Sequence, residues 1–242
     1  MNKYKALLYC DMRNAARDPM LLLILAGPLL LVLTTRLGMP PLSNWIADKT
    51  GYDLLAYKAF ISLLIQALIP QLIGAATGLL MLDERDERII DCYAVTPLRK
   101  RGYIVYRLIL PVGICCGMSL LFVSASGISG LTVGQTLPLL LFVLEAPLFA
   151  LFLVAFAANK VEGLALSKLI SLTLLGPACA YFVAEPWQWL AGLLPTYWPS
   201  KLYLELAAAD NGWQRQAIFA IGLSVHLLLL YDLLRRFVNR ME

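Results

Sequence analysis

The feature that most constrains this chain is a series of long apolar segments separated by short polar connections. An α-helix needs roughly 20 apolar residues to cross a hydrocarbon core of about 30 Å. The hydropathy pattern predicts six such spans, at residues 20–37, 59–82, 108–126, 137–158, 163–183 and 216–234. Only 15% of the 242 residues are charged, whereas a soluble domain carries about 25%. The sequence therefore predicts an all-α integral membrane protein.

The basic residues predict the orientation of these spans. Fifteen of the 20 Lys and Arg residues fall on the side that holds both termini and the connection between the second and third spans. Because Lys and Arg accumulate in cytoplasmic loops, we predict a multi-pass protein of the cytoplasmic (inner) membrane with both termini in the cytoplasm. Residues 1–19 carry four of the basic residues and have apolar positions at helical spacing. They are predicted to be an amphipathic helix in the membrane interface, followed by the transmembrane domain at 20–242.

Two connections on the opposite side differ in character. Residues 38–58 contain the sequence GMPPLSNW and are predicted to form a loop with Trp45 at the membrane interface. Residues 184–215 are rich in Trp and Tyr, which is typical of the headgroup level of a membrane. Within them, the segment WQWLAGLL is too short to span and predicts an interfacial or re-entrant helix before Pro195.

The connection between the second and third spans, residues 83–103, begins with six consecutive charged residues. If it forms a helix that Pro97 ends, Ile89, Ile90 and Tyr93 lie on one apolar side. Membrane topology requires only the basic residues, so the acidic ones suggest a dock for a soluble partner. The alternative is a solvated loop whose basic residues set the topology, and the residues alone leave both open.

Three segments of the chain resemble those of the type-2 ATP-binding-cassette (ABC) export permeases. They are DERDERIIDCYAVTPLRKRGY at 83–103, NKVEGLALSKL at 159–169 and LLPTYWPSKLY at 193–203. The resemblance implies an interfacial N-terminal helix, six spans, a cytoplasmic coupling helix within 83–103, and a homodimer or a dimer with a related permease. The residues that it places against an ATPase subunit are Glu84, Arg85, Asp86, Glu87, Arg88, Ile89, Ile90, Tyr93 and Pro97.

The sequence shows neither an ATP-binding motif nor a catalytic motif. It contains no GxxxxGK[ST] phosphate loop and no HExxH or GxSxG motif, so we expect no enzyme activity and no cofactor. Its five cysteines are scattered and it has a single histidine, which disfavours a metal site. Because the basic residues cluster at span ends, nucleic acid is not an expected partner.

The resemblance therefore implies that a cytoplasmic ABC ATPase subunit binds ATP and Mg. This permease subunit would move an amphipathic small molecule or peptide, such as a drug or an antimicrobial peptide, out of the cell by alternating access.

Four polar residues inside the predicted spans are candidates to line a translocation pathway: Gln66, Gln71, Glu145 and His226. A carboxylate within a bilayer costs at least about 2.5 kcal/mol unless it is paired, protonated or in contact with water. Glu145 and His226 therefore serve either as structural partners of neighbouring helices or in function. In the second case they could be the proton groups of a proton-coupled secondary carrier or channel, which is the alternative to an ATP-driven exporter. A scaffold that transports nothing is a third possibility.

Overall fold

The computed structural model describes residues 19–90, 99–129, 133–207 and 212–241. These residues form eight α-helices, four short 3-10 helices and no strand, which confirms the all-α prediction. The α-helices are α1 Pro19–Thr50, α2 Lys58–Asp86, α3 Arg99–Ala125, α4 Thr136–Phe156, α5 Lys160–Ser171, α6 Leu175–Phe182, α7 Tyr197–Ala207 and α8 Gly212–Met241. The 3-10 helices are Leu54–Tyr57, Val133–Gln135, Leu172–Leu174 and Trp187–Leu193.

Five helical stretches are long and apolar enough to cross a membrane. They are Leu54–Asp86, Gly102–Ala125, Thr136–Phe156, Lys160–Phe182 and Gly212–Arg240, and they contain the cores of the second to sixth predicted spans. The chain is therefore a multi-pass membrane protein. The first predicted span, 20–37, lies within α1, but only the backbone of residues 20–25 is described. That this first span crosses the membrane stays a prediction, as does the interfacial helix at 1–19, of which residues 1–18 lie outside the described part of the chain.

The prediction of a loop at 38–58 is wrong for most of that range, because α1 continues to Thr50. Val32, Thr35, Met39 and Ser43 are all buried and recur every three or four residues. This spacing keeps one face of the helix packed against the protein beyond the point where the sequence turns polar. Packing along this face therefore outweighs the breaking tendency of the internal prolines. The short helix expected before Pro195 is present as Trp187–Leu193.

Helix α4 is the centre of the bundle. In the most apolar 18-residue stretch of α4, 78% of the residues are buried, against 22–56% in the corresponding stretches of the other four candidate spans. Helix α2 packs against it most closely, at Gly74 and Gly78. A Cβ atom on Gly74 would lie 2.5 Å from the carbonyl oxygen of Ala146, and one on Gly78 would lie 3.0 Å from that of Ala150. Small residues allow two membrane helices to approach this closely.

Candidate functional site

The charged segment between α2 and α3 starts inside the helix bundle rather than outside it. Helix α2 extends to Asp86, a turn follows at Glu87 and Arg88, and helix resumes at residues 89–90. Residues 91–98, with the predicted coupling residues Tyr93 and Pro97, lie outside the described part of the chain. The first four residues of the predicted 83–103 connection are therefore the last turn of a long helix.

Glu84 is the centre of a buried polar network that joins the ends of α2 and α3. Its Oε2 accepts hydrogen bonds from the hydroxyl of Tyr103 at 2.6 Å and from Nε of Arg107 at 3.0 Å. Nη2 of Arg107 also donates to Oε1 of Glu84, so the ion pair is bidentate. Glu84 is 7% exposed and Arg107 is 5% exposed. A charged pair is tolerated in such a place only when its hydrogen bonds are satisfied, as they are here.

Arg85 connects α2 to the end of α4. Its guanidinium donates to the carbonyl oxygens of Val154 at 3.1 Å and of Ala157 at 2.7 Å. Arg240, near the end of α8, donates to the same Ala157 oxygen at 2.9 Å. The last carbonyls of a helix have no partner within that helix. The two arginines supply these partners, and they tie three helices together at one point.

The start of α5 is bound to the same end of α2. Nζ of Lys160 lies 2.9 Å from Oδ2 of Asp83. The backbone N–H of Lys160 donates to Oδ2 of Asp86 at 3.0 Å. Asn159 caps the helix by accepting from the backbone N–H of Glu162 at 2.9 Å. We call the set of Asp83, Glu84, Arg85 and Asp86 with their partners on α3, on α5 and at the end of α4 the polar junction; Arg240 of α8 joins it through the shared Ala157 oxygen.

The residues predicted to contact an ATPase therefore divide into two groups. Those before Glu87 make contacts within the chain, and Ile90 is also buried, at 4% exposure. Glu87 and Arg88 are exposed, and Ile89 is half-buried. Arg88 has a φ of 57°, in the left-handed region that non-glycine residues seldom adopt. Glu87 and Arg88 thus form an exposed, sharp turn directly after an internally fixed helix end.

Sequence reasoning missed Tyr103 and Arg107, the partners of Glu84. Their spacing of four residues puts both on one face of a helix, which is a signal that could have been found. It could not have revealed which acidic residue that face meets, because four of the six charged residues at the start of the connection are acidic.

Glu145 and His226, on α4 and α8, meet in the middle of the bundle. Both side chains are fully buried, and Nε2 of His226 lies 3.8 Å from Oε1 of Glu145. Nδ1 of His226 lies 2.7 Å from the carbonyl oxygen of Gly222. Within the described part of the chain, neither oxygen of Glu145 accepts a hydrogen bond. The two residues are therefore close, in a place closed to solvent.

The two glutamines of α2 have different surroundings. Nε2 of Gln71 donates to Oγ1 of Thr173 at 2.7 Å, so this side chain joins α2 to the segment between α5 and α6. Gln66 lines a small recess and has no hydrogen-bond partner among the described residues. The four pathway candidates thus do not share one open route in this conformation.

The comparisons with known proteins agree with a membrane permease. The family model described as "Fluoroquinolones export permease protein Rv2686c-like" matches residues 11–234. The chain belongs to this family. Two curated relatives from Mycobacterium tuberculosis are fluoroquinolones export permease protein MT2760, of strain CDC 1551 / Oshkosh, and fluoroquinolones export permease protein Rv2686c, of strain ATCC 25618 / H37Rv. Each is 29% identical over 237 residues, which cover 94% of this chain and 90% of the relative.

Membership of the Rv2686c-like export permeases agrees with the resemblance to ABC export permeases. It makes the chain the permease subunit of an exporter, a transport subunit rather than an enzyme. No solved structure matches the chain.

Proposed function

We propose that this permease is the membrane subunit of an ATP-driven ABC exporter in the cytoplasmic membrane. A separate cytoplasmic ATPase subunit would bind ATP and Mg and dock on the segment that begins with the exposed turn at Glu87 and Arg88. The observation that carries this proposal is the polar junction, which fixes the base of that segment to three other helices, α3, α4 and α5. The sequence contains no phosphate loop of its own, so in this proposal the ATP would be bound by the separate subunit.

The polar junction explains how a push on the segment could move the spans. Because Glu84 holds Arg107 of α3, α2 and α3 move together when the segment is displaced. Because Arg85 holds the end of α4, the displacement also reaches the centre of the bundle. A satisfied network of buried and part-buried hydrogen bonds is rigid, so a displacement of one helix would carry the bonded helices with it. Alternating access would then arise from movement of whole helices in a homodimer or in a dimer with a related permease.

The transported molecule is proposed to be an amphipathic small molecule. The relatives are named for fluoroquinolones, which makes these drugs the first substrates to test on this chain. The residues that could line a pathway inside the spans offer few charges, and Glu145 and His226 already face each other. Such walls suit a molecule with a large apolar part and a few hydrogen-bonding groups.

The contact between Glu145 and His226 favours a second candidate function, a proton-coupled carrier. A carboxylate and an imidazole 3.8 Å apart in a closed interior could exchange a proton. The two functions differ in their energy source. Proteoliposomes containing the purified chain alone should show no uptake of a fluoroquinolone when only a proton gradient is applied. Uptake under that condition would favour the carrier.

Co-purification tests the docking of an ATPase. The tagged permease, extracted in mild detergent from its own organism, should carry an ABC ATPase with it. The double substitution Glu87→Ala and Arg88→Ala should remove that subunit without lowering the permease yield, because both side chains are exposed. Ile90 is unsuitable for this test, since it belongs to the hydrophobic core.

Asp232→Ala is the matched control. Asp232 is exposed and charged, and it lies on α8, where it pairs with Arg236 of the same helix. The ATPase should be retained in this variant. A wild-type permease that purifies without an ATPase, or a double variant that keeps it, would contradict the proposed docking.

A further inference from the structure

The fifth membrane span is interrupted near its middle. Helix α5 ends at Ser171, a 3-10 turn covers Leu172–Leu174, and α6 continues the span from Leu175. The whole stretch Lys160–Phe182 is long and apolar enough for one crossing, so the interruption lies at membrane depth. A 3-10 turn in the middle of a helix often marks a hinge. We call α5, which begins at the polar junction, the inner half of the span and α6 the outer half.

Pro177 accounts for the interruption. In an α-helix each residue donates its backbone N–H to the carbonyl oxygen four residues earlier, and proline has no N–H to donate. For Pro177 that oxygen belongs to Thr173, in the 3-10 turn. The hydroxyl of Thr196, which directly precedes α7, donates to this oxygen instead. A side chain from another segment thus takes the place of a backbone bond of the helix.

A second side chain binds the same turn. Nε2 of Gln71, on α2, donates to Oγ1 of Thr173 at 2.7 Å, and this hydroxyl in turn donates to the carbonyl oxygen of Ile170 at 2.7 Å. Polar groups at a helix break inside a membrane need such partners, because lipid offers none. The turn is therefore held by side chains of two other segments rather than by a continuous backbone ladder.

The inner half of the span is firmly attached to α2. Lys160, its first residue, is bound to Asp83 and Asp86 of the polar junction. Gly163 lies close against α2, since a Cβ atom added to it would lie 3.1 Å from Cδ2 of Leu79. Charged bonds and close packing thus hold the inner half to its neighbour.

The outer half is attached to a different part of the protein. A Cβ atom added to Gly176 would lie 2.7 Å from the backbone nitrogen of Tyr197, the first residue of α7. The outer half meets α2 through the rings of Tyr181 and Phe182, whose centroids lie 5.4 and 4.7 Å from that of Phe60. Ring contacts carry no hydrogen bond, so they can shift without leaving a polar group unpaired.

We propose that Leu172–Leu174 is a hinge at which the outer half of the fifth span tilts against the inner half. Helix α7 and the Trp187–Leu193 helix move with the outer half, and Nε1 of Trp198 joins these two by donating to the Gly192 carbonyl oxygen at 2.9 Å. The inner half stays with α2. The tilt opens and closes the outer end of the permease, and in this respect the inference rests on the proposed function. Gln71 is then a hinge residue rather than part of a pathway wall.

Unfolding of the purified full-length permease tests the bonds at the hinge. Thr196→Val removes the hydroxyl at nearly constant shape and should lower the unfolding midpoint by at least about 2 °C, because the Thr173 carbonyl loses its side-chain donor. Pro177→Ala returns a backbone N–H that can donate to the same oxygen. In the Pro177→Ala background, Thr196→Val should therefore lower the midpoint by less than half as much.

Thr77→Val is the matched control. Oγ1 of Thr77, on α2, donates to the Ile73 carbonyl oxygen of the same helix at 2.8 Å. The loss of this bond should lower the midpoint equally with and without Pro177→Ala. A Thr196→Val effect that is equally large in both backgrounds would overturn the hinge.

Spin labels measure the movement itself, in the complex of permease and ATPase without native cysteines. Tyr52→Cys and Leu193→Cys place the labels at positions that are 73% and 88% exposed. The outer half, from Thr173 to Phe182, is about 13 Å long, so a tilt of about 20° moves its end by about 5 Å. The distance between the labels, measured by double electron–electron resonance, should change by at least about 3 Å when a non-hydrolysable ATP analogue is added. Pro177→Ala should reduce this change to less than half while the ATPase stays bound.

The two measurements separate this inference from the proposed function. If the ATPase co-purifies but the distance stays fixed, or changes equally in the Pro177→Ala complex, the hinge is overturned and the ATPase dock stands. A permease that purifies without an ATPase would refute the ATP-driven exporter, whereas rescue of Thr196→Val by Pro177→Ala would still support the hinge.

Discussion

At the scale of single residues, the charged side chains of this protein differ in how much they contribute to its stability. The ion pair of Glu84 and Arg107 is almost completely buried, whereas Asp232 and Arg236 form an i,i+4 pair in which both side chains are 55% exposed. Exposed pairs stabilise a protein by about 0–1 kcal/mol because water competes for both partners. Removing one partner of a buried pair costs about 3–5 kcal/mol, because the other charge is left without compensation.

Glu84→Gln should therefore lower the free energy of unfolding by about 3–5 kcal/mol. The measurement is the thermal unfolding midpoint of the purified permease, followed by intrinsic fluorescence in one detergent. Asp232→Asn is the matched control and should shift the midpoint little. Equal shifts in the two variants would show that the network around Glu84 does not hold α2 to α3.

Lys201 provides a prediction about pH. Burial of its ammonium group lowers its pKa, but the ion pairs with Glu185 at 2.9 Å and Glu205 at 3.0 Å outweigh this and raise the pKa above its ordinary value. A group whose folded-state pKa is raised stabilises the fold below the unfolded-state pKa, and this stabilisation is lost as the pH rises through the folded-state pKa.

We thus expect Lys201→Met to lower the unfolding midpoint at pH 8 and to have a smaller effect at alkaline pH above the pKa of Lys201. The loss at pH 8 should be about 1.5–3 kcal/mol, the contribution of a hydrogen bond to a charged group. Thermal unfolding of both proteins across this pH range gives the comparison. A difference that is constant with pH would exclude the ion pairs as its cause.

At the scale of elements, close packing of α2 on α4 decides the shape of the bundle. Gly74 and Gly78, four residues apart, lie on the face of α2 that meets the backbone of α4. Glycine weakens an ordinary helix by about 0.5–1 kcal/mol relative to alanine. Here it stabilises the protein instead, because it lets two backbones approach within contact distance.

Gly74→Ala should destabilise the permease by about 1–3 kcal/mol, the usual cost of overpacking. Its Cβ would lie 2.8 Å from Cβ of Phe149 as well as against the Ala146 carbonyl, and neither atom belongs to a flexible side-chain end. Gly113→Ala, on α3, is the control, because nothing lies within 4 Å of its added Cβ. We expect Gly113→Ala to leave the unfolding midpoint unchanged or raise it, and the opposite ranking would contradict this helix contact.

At the scale of the whole molecule, the orientation in the membrane determines what the polar junction can do. An ATPase can reach the junction only if the end of the bundle that carries it faces the cytoplasm. Val161, at 77% exposure, lies at that end, in the first turn of α5. Tyr52, at 73% exposure, lies between α1 and α2 at the other end.

Cysteine labelling measures this orientation. In a background without the five native cysteines, Val161→Cys should react with a membrane-impermeant maleimide in inside-out vesicles and not in intact cells. Tyr52→Cys should show the reverse pattern. The expectation follows from the excess of Lys and Arg on the side of the junction. Labelling of Val161→Cys in intact cells would overturn both the orientation and the docking of a cytoplasmic ATPase.

Much of the fold could be predicted from the sequence because the bilayer restricts the choices. A run of apolar residues that is long enough to cross must be a helix, since every backbone polar group needs a partner within the segment. The α1 extension to Thr50 was missed because local signals such as Pro40 and Pro41 favour a loop. The tertiary contacts of α1 outweigh those local signals. These contacts cannot be inferred from a single sequence.

For the candidate site, the sequence by itself determined that a charged connection separates two apolar spans and that Glu145 and His226 lie within such spans. Periodicity and composition are local properties, so they carry this information. Only the tertiary structure decided that Glu84 belongs to Arg107, that Arg85 binds the end of α4, and that Gln66 has no partner while Gln71 has one. Partner choice depends on which helices are neighbours, and helix neighbours are fixed by packing between residues far apart in the chain.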